Sequence, residues 1–389
     1  MRFGGMINNI IERALALKSA INFSTLTSES RRITFYSESA NYYPHLELLL
    51  KTVLEQTNIN VCLLSSSRND PILAVSHPRL NSFFIGSGYV RNYIFENINT
   101  QLLILTMPDL NNFQLKRSRF NVHYAYTQHS LVSSHMIYRY SAFDHYDTIL
   151  CAGPHHIAEI EATERHYNLR NKNLVKFGYP RLDRLIKYGE QKVKKSIAFD
   201  NNKEQLLILI APSWGPEGII ESGLCFKLIK KLLELRHMVI VRPHPQTIKF
   251  NNEKIIEIRN TFSLDDRVIL EVDVQGYDSL WSSDIMISDW SGVALEYALG
   301  FKKPVIFCNV PKKINNPRYL DINLVPLEVS IRNEIGTIWD IKSPIENAII
   351  ECKHKLDQSK FELLTKKYVY NLMKSDEAFI NFLKSLKLI

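Results

Sequence analysis

Short runs of aliphatic and β-branched residues alternate with longer stretches of helical apolar spacing along almost the whole chain, and that alternation admits few folds. A strand apolar on both faces must be covered on both faces, so the pattern predicts an α/β protein with parallel sheets between helices. In the first half the strands fall at 33–36, 61–64, 82–85, 102–106, 122–127 and 146–151, with helices around 46–54 and 157–167. A polar, lysine-rich stretch at 188–205 reads as a linker, and the alternation then restarts. Strands are expected at 206–210, 237–241, 268–270, 285–288 and 305–307, with helices at 226–235 and 291–299. A length of 389 residues suits two such domains, each with its own core. Two α/β halves in series leave a cleft between them, and ligands in such sheets gather at the carboxyl ends of strands.

Forty-eight Lys and Arg against 40 Asp and Glu give a net charge of +8, which favours an anionic partner such as a phosphorylated substrate, a membrane surface or nucleic acid. There is no arginine-rich arm, zinc-finger spacing or aromatic RNA-binding stretch, so nucleic acid is not expected. Five widely spaced cysteines without a C-x-x-C pair indicate neither a disulfide framework nor a zinc knuckle and fit a reducing cytoplasm. Nothing resembles a signal peptide or a run of about 18 apolar residues that would span a membrane. Residues 6–22 carry an amphipathic helical pattern, expected to pack on the protein's own body, with an interfacial contact to an anionic membrane as the alternative.

Three segments carry the candidate chemistry. In Ser288-Asp289-Trp290-Ser291-Gly292 a strand runs into a helix, whose first turn offers free amides and a positive dipole end. Ser288 and Ser291 add hydroxyls, Gly292 allows close approach of a phosphate, and Glu296 one turn on is placed either to accept from ribose hydroxyls or to stand as a solvated helix carboxylate. Ordinary N-capping by Asp289 or Ser291 is the competing explanation. In Arg242-Pro243-His244-Pro245 two prolines stiffen a strand end that carries a permanent cation and an acid/base group of near-neutral pKa. His129, after the run at 122–127, is expected to project from another strand end. His135, His145, His155 and His156 read as surface or supporting groups, and no metal site is expected, since adjacent side chains such as His155 and His156 diverge. Ser213 and Trp214, in a turn directly after a buried strand, are placed to line a nucleotide pocket, with a loop shaped by its proline as the competing explanation.

In order, Gln128-His129-Ser130, Gly178-Tyr179-Pro180-Arg181, Ala211-Pro212-Ser213-Trp214, Arg242-Pro243-His244-Pro245 and Ser288-Asp289-Trp290-Ser291-Gly292 resemble the motifs of the CDP-glycerol glycerophosphotransferase family, which extends teichoic acids and related polymers. The resemblance spans roughly residues 120 to 310. The family more often has Trp-His-Gly at the first motif and Tyr-Ser-Ser at the last. The resemblance implies a GT-B-like fold, two Rossmann-like domains facing a central cleft. Residues 1–190 would form the acceptor side and 200–365 the nucleotide-donor side, with a C-terminal helix at 366–389 packing back on the first domain. It also implies transfer of glycerol phosphate, or a related polyol phosphate, from a CDP-linked donor to a hydroxyl of a cell-envelope polymer or glycan, lipid-linked acceptors included, with release of CMP. His129 and His244 would be catalytic, and Arg242, Ser213, Ser288, Asp289, Ser291, Gly292 and Glu296 would hold the donor, with no cofactor. The expected location is cytoplasmic, including the inner face of the membrane. A nucleotide-sugar glycosyltransferase and a noncatalytic anion-binding protein of the same fold are the alternatives.

Overall fold

The computed structural model describes residues 2–113, 115–193, 204–274, 276–355 and 357–389. Among them the first sheet has seven strands, β1 (Ile33–Ser37), β2 (Val61–Ser65), β3 (Leu80–Phe84), β4 (Leu102–Leu105), β5 (His123–Thr127), β6 (Thr148–Cys151) and β7 (Asn173–Lys176). The second has six, β8 (Leu207–Ile210), β9 (Met238–Val241), β10 (Val268–Leu270), β11 (Ile285–Ser288), β12 (Val305–Cys308) and β13 (Gly336–Trp339). The helices are α1 (Arg2–Thr25), α2 (Tyr43–Gln56), α3 (Tyr89–Asn97), α4 (Pro154–Tyr167), α5 (Pro180–Val193), α6 (Leu224–Glu234), α7 (Pro245–Phe250), α8 (Asn252–Phe262), α9 (Asp278–Ser282), α10 (Gly292–Phe301), α11 (Leu327–Ser330), α12 (Arg332–Ile335), α13 (Ile345–His354), α14 (Gln358–Tyr368) and α15 (Ser375–Ser385).

Every pairing is parallel, in the orders β3-β2-β1-β4-β5-β6-β7 and β10-β9-β8-β11-β12-β13. Central strands β1 and β2 are buried at all five positions, as an apolar run covered on both faces requires. Register is set there: Phe35 pairs with Leu63 on one side and Ile104 on the other. Strand order reverses between β1 and β4 and again between β8 and β11, so each sheet has one switch point where loops at the carboxyl ends part and leave a crevice.

Each sheet has an apolar layer of its own, Ile33, Phe35, Leu63 and Ile104 in the first and Ile208, Val239 and Ile287 in the second. Two isolated cores were the expectation, and the structure departs from it. A third cluster runs across both sheets, joining Leu103 and Tyr126 to Leu209 and Met286 through α5 and α10. The helices approach closely because Gly300 has no side chain: a Cβ there would lie 3.1 Å from Leu182 Cδ1 and 3.3 Å from Leu185 Cβ. Burying those two leucines stabilises the seam by about 1.5–3 kcal/mol each. The chain then returns to the first sheet, where Phe379, Phe382 and Leu383 of α15 pack under β1.

Two strands, β7 and β13, are additions to the expected pattern, as are the helices α3, α5, α7, α8, α9 and α11 to α14. Of the stretch expected to be a linker, residues 188–193 finish α5, and 194–203 lie outside the described residues.

Candidate active site

Loops from the carboxyl ends of both sheets enclose one cleft of about 680 Å³. The first sheet contributes the turn after β1, from Ser39 to His45, and the segment after β5 with His129, Ser130 and Tyr138. Facing them are Ala211 to Trp214 after β8, Arg242 to Gln246 after β9, Trp290 to Val293 after β11, and Lys313 after β12. Of the residues singled out in the sequence, His129, Ser213, Arg242, His244, Ser291, Gly292 and Glu296 line this space together.

Ser288 and Asp289 do not. Strand alternation turns Ser288 into the sheet, where it is fully buried and its hydroxyl donates to the Ala211 carbonyl at 2.7 Å. Asp289 is buried behind the wall. Its Oδ1 accepts from the amides of Ser213 and Trp290, each at 2.6 Å, and its Oδ2 from Ile219 at 3.3 Å. One carboxylate thereby fixes the turn after β8 to the start of α10. Ser291 is the N-cap of α10, but its side chain makes no capping bond, which leaves the hydroxyl free at the cleft beside the amides of the first turn. Gly292 meets the first domain: a Cβ would sit 2.2 Å from Ser130 Oγ, so the missing side chain serves the contact between the two halves.

Arg242 is also committed to the protein. Its Nη1 donates to Glu271 and Ser279 at 2.9 Å, and its Nη2 to the carbonyls of Val274 and Gly276. A guanidinium so engaged organises the loop after β10 and brings little free charge to a ligand, contrary to its expected role as a bare cation. Glu296 likewise has its partners already, accepting from Tyr179 Oη at 2.6 Å and Arg181 Nε at 2.7 Å. The Gly178-Tyr179-Pro180-Arg181 turn is thus clamped onto α10.

His244 caps α7, its Nδ1 accepting from the Gln246 amide at 3.1 Å. That bond leaves the proton of the neutral ring on Nε2. Burial, reinforced by the positive charge of Lys313, pushes its pKa down to about 3. The ring is a neutral donor at physiological pH and not the near-neutral acid/base group expected from the sequence. Lys313, absent from the sequence-level set, donates to the Trp214 carbonyl at 2.9 Å and lies 4.6 Å from the centre of that indole. Burial lowers its pKa to about 8. Its position after a strand end, where the second sheet keeps its other cleft residues, is the signal that could have found it.

On the opposite wall His129 is boxed by the rings of Tyr42, His45, Tyr126 and Tyr138, with centroids 5.6 to 6.2 Å away and all close to edge-on. Its Nδ1 lies 2.9 Å from Tyr126 Oη. Burial holds its pKa down at about 4, so the ring is neutral at pH 7. His135 and His156, expected at the surface or as supporting groups, are interior: His135 sits 3.4 Å from Glu159, and His156 is fully buried. Among the described residues no group of three or more His, Cys, Asp or Glu is arranged to hold a metal ion.

The fold is shared with solved structures of low sequence identity. The UDP-GlcNAc 2-epimerase of Methanocaldococcus jannaschii matches with a TM-score of 0.56 at 12% identity, over 91% of this chain and 100% of that one. That of Rickettsia bellii matches at 0.57 and 11%, over 92% and 95%, and a glycosyltransferase of Rickettsia africae at 0.51 and 12%, over 92% and 97%. Both sheets and the intervening cleft have this GT-B arrangement. In sequence, the chain is 25% identical over 183 residues to the teichoic acid glycerol-phosphate primase of Bacillus subtilis (strain 168), a match that covers 45% of this chain and 42% of that protein. The family model described as CDP-Glycerol:Poly(glycerophosphate) glycerophosphotransferase matches residues 111–347, more than half of the chain and every cleft segment from His129 to Lys313. The chain belongs to that glycerophosphotransferase family.

Proposed function

We propose that the protein transfers glycerol phosphate from CDP-glycerol to a hydroxyl of a cell-wall polymer or glycan. The observation that carries the reading is one cleft with a neutral, boxed imidazole, His129, on one wall and an anion-binding arrangement on the other. That second wall combines the first turn of α10, the free Ser291 hydroxyl, His244 as a neutral donor and the Lys313 ammonium. Ser213 belongs to it through the turn that Asp289 holds. Such a set suits a diphosphate, because charge grows on the leaving phosphate as its bond to the transferred phosphorus breaks.

In the reaction the acceptor oxygen bonds to the phosphorus that bears glycerol, the bond from that phosphorus to the CMP oxygen breaks, and the acceptor proton passes to His129. CMP leaves with its charge countered by α10 and Lys313. Arg242, Arg181 and Glu296 hold the walls in place. The exposed apolar residues Leu17 and Ile21 of α1, each 56% exposed, further support a reading in which the protein works against an anionic membrane surface where lipid-linked acceptors reside.

The test is a donor screen with the purified protein and a glycan extract as acceptor. CMP release from CDP-glycerol, and no UDP release from UDP-hexoses, is the expected result; the reverse selects a sugar transferase. His129→Ala is expected to lower turnover at least 100-fold with CDP-glycerol affinity retained, the usual worth of a general base. Normal turnover by that variant removes His129 from the chemistry.

A further inference from the structure

We infer that His135 is a positioning residue held as an imidazolium, whose two N–H groups fasten the loop that carries His129 to the segment that carries Lys313. Only its effect on turnover rests on the proposed reaction. Residues 313–324 run from the cleft after β12 across to the first domain, with Lys313 and Asn315 still lining the cleft. The amides of Asn315 and Asn316 donate to the Met136 carbonyl at 3.1 and 3.2 Å, and their side chains to the Ile137 and His135 carbonyls at 2.7 and 2.9 Å. His135 completes the seam in the opposite direction, its Nε2 lying 3.2 Å from the Leu324 carbonyl oxygen. Residues 135–137 are thus clasped by one segment of the second domain. Tyr138, which comes next, sets its ring edge-on to His129, with centroids 5.6 Å apart.

Three histidines underlie this loop, and their partners differ. His156 has one donor and one acceptor, the Ala152 amide and the Val132 carbonyl, which a neutral ring satisfies. His155 faces one acceptor, the Leu131 carbonyl at 3.0 Å, and one ring proton is again enough. His135 faces oxygen at both nitrogens, the Leu324 carbonyl at Nε2 and Glu159 Oε2 at Nδ1, the latter at an ion-pair distance of 3.4 Å. Glu159 is held as a carboxylate, its Oε2 accepting from the Ser134 amide and hydroxyl at 2.6 and 2.7 Å. Either neutral tautomer would aim a lone pair at one of these oxygens in the interior, where both side chains are buried. A second ring proton makes both contacts attractive. Glu328 of α11, likewise buried, binds the amide and hydroxyl of Ser133, so the imidazolium brings positive charge to a stretch flanked by two carboxylates. Burial opposes that charge, but the contacts with Glu159, the Leu324 carbonyl and Glu328 outweigh it and raise the pKa of the ring. Of the other groups facing it, His155 and His156 of α4 are kept neutral by burial, and Tyr319 presents its ring at 6.4 Å.

The charge is read by ¹⁵N NMR of histidine-labelled protein at pH 7, where His135 should show both ring nitrogens protonated, its signal assigned by its loss in His135→Gln. In Glu159→Gln the carboxylate facing Nδ1 is gone, and the ring should titrate at lower pH than in wild type. If His135→Gln does not fold, that shift assigns the signal instead. A ring with one proton at pH 7, or a titration that ignores Glu159→Gln, overturns the inference. A raised folded-state pKa means that the clasp is complete at low pH and lost as pH rises past that pKa. His135→Gln is neutral at every pH. Its kcat at saturating CDP-glycerol should therefore lie about 10- to 100-fold below wild type at pH 7, as when reacting groups are misplaced, and the two should converge as the wild-type ring loses its proton. Saturating donor keeps the Lys313 titration, which acts on KM, out of the comparison. A gap that stays constant with pH marks a merely structural role and overturns the inference. If the wild type does not turn over CDP-glycerol at all, the proposed reaction fails, and the NMR titration alone decides the charge of His135.

Discussion

Lys313 holds an ammonium where burial makes charge costly, and its pKa falls from 10.5 to about 8. Below pH 8 the group is charged and, on the proposed reading, attracts the donor's phosphates; above it the charge is lost. The KM for CDP-glycerol is therefore expected to rise as pH passes from 7 to 9, two units or more before an ordinary lysine would titrate. Lys313→Met should weaken donor binding about tenfold at pH 7, the worth of one charge-assisted contact, and should flatten that alkaline limb. An unchanged limb in the variant would assign the titration elsewhere. At this scale the sequence located the loops and misjudged how their side chains are spent. Arg242 looks like a free cation in Arg242-Pro243-His244-Pro245 because its partners, Glu271 and Ser279, lie 29 and 37 residues on. Ser288 and Asp289 sit in a phosphate-binding pattern, yet strand alternation turns one inward and the other becomes the peg for Ser213. The place of Ser291, His129 and His244 at the cleft was legible because a strand end and a rigid flank are local properties.

Among the elements, strands with continuous apolar runs were readable to within a residue or two, since burial on both faces leaves no other composition. The two strands without such a run, β7 and β13, are edges. β7, Asn-Leu-Val-Lys, has no fully buried residue, and β13 opens on Gly336, which a strand interior rarely holds. The glycine is required there, since a Cβ would fall 1.8 Å from the Val305 carbonyl oxygen. α1 has an amphipathic sequence pattern, and its inner face does pack: Ala16, Ala20 and Phe23 are buried. Its outer face is nonetheless apolar, with Ile11, Leu15, Leu17 and Ile21 between 37% and 56% exposed and Lys18 among them. Exposed apolar residues on the outer face of a helix in a basic protein are what the proposed contact with an anionic bilayer would use. The protein is expected to float with phosphatidylglycerol-containing vesicles and not with neutral ones of the same size. Leu17→Glu with Ile21→Glu should reduce that binding at least tenfold at an unchanged melting temperature, since neither residue belongs to the packed face. Equal flotation by the double variant would place the contact elsewhere.

For the whole molecule, the two halves are tied by polar contacts between residues far apart in sequence, and these were beyond reach of local patterns. Ser133 donates through its amide and hydroxyl to Glu328 at 2.7 and 2.6 Å, a separation of 195 residues, and Tyr179 and Arg181 reach Glu296 across more than 110. The loop that carries His129 and Ser130 is held from below by the same means. His156 lies under it, accepting from the Ala152 amide at Nδ1 (3.3 Å) and donating from Nε2 to the Val132 carbonyl (3.0 Å). An amide only donates and a carbonyl only accepts, so a second ring proton has nowhere to go, and burial pushes the pKa down to about 3. A depressed folded-state pKa means that the unfolded chain takes up a proton near pH 6.5 and the folded one does not. The contribution of His156 is therefore complete above pH 6.5 and is lost as pH falls toward 3, at up to about 1.4 kcal/mol per unit. Other buried groups titrate over the same range, Glu38 with the opposite sign because burial raises its pKa to about 7, so the group is isolated by comparison with a variant. His156→Gln should be less stable than wild type at pH 7, and urea unfolding should show the gap closing by about 2 kcal/mol at pH 5. A gap that stays constant would mean that His156 is protonated equally in the folded and unfolded chains. In that case the Ala152 and Val132 bonds could not be what holds the loop beneath His129.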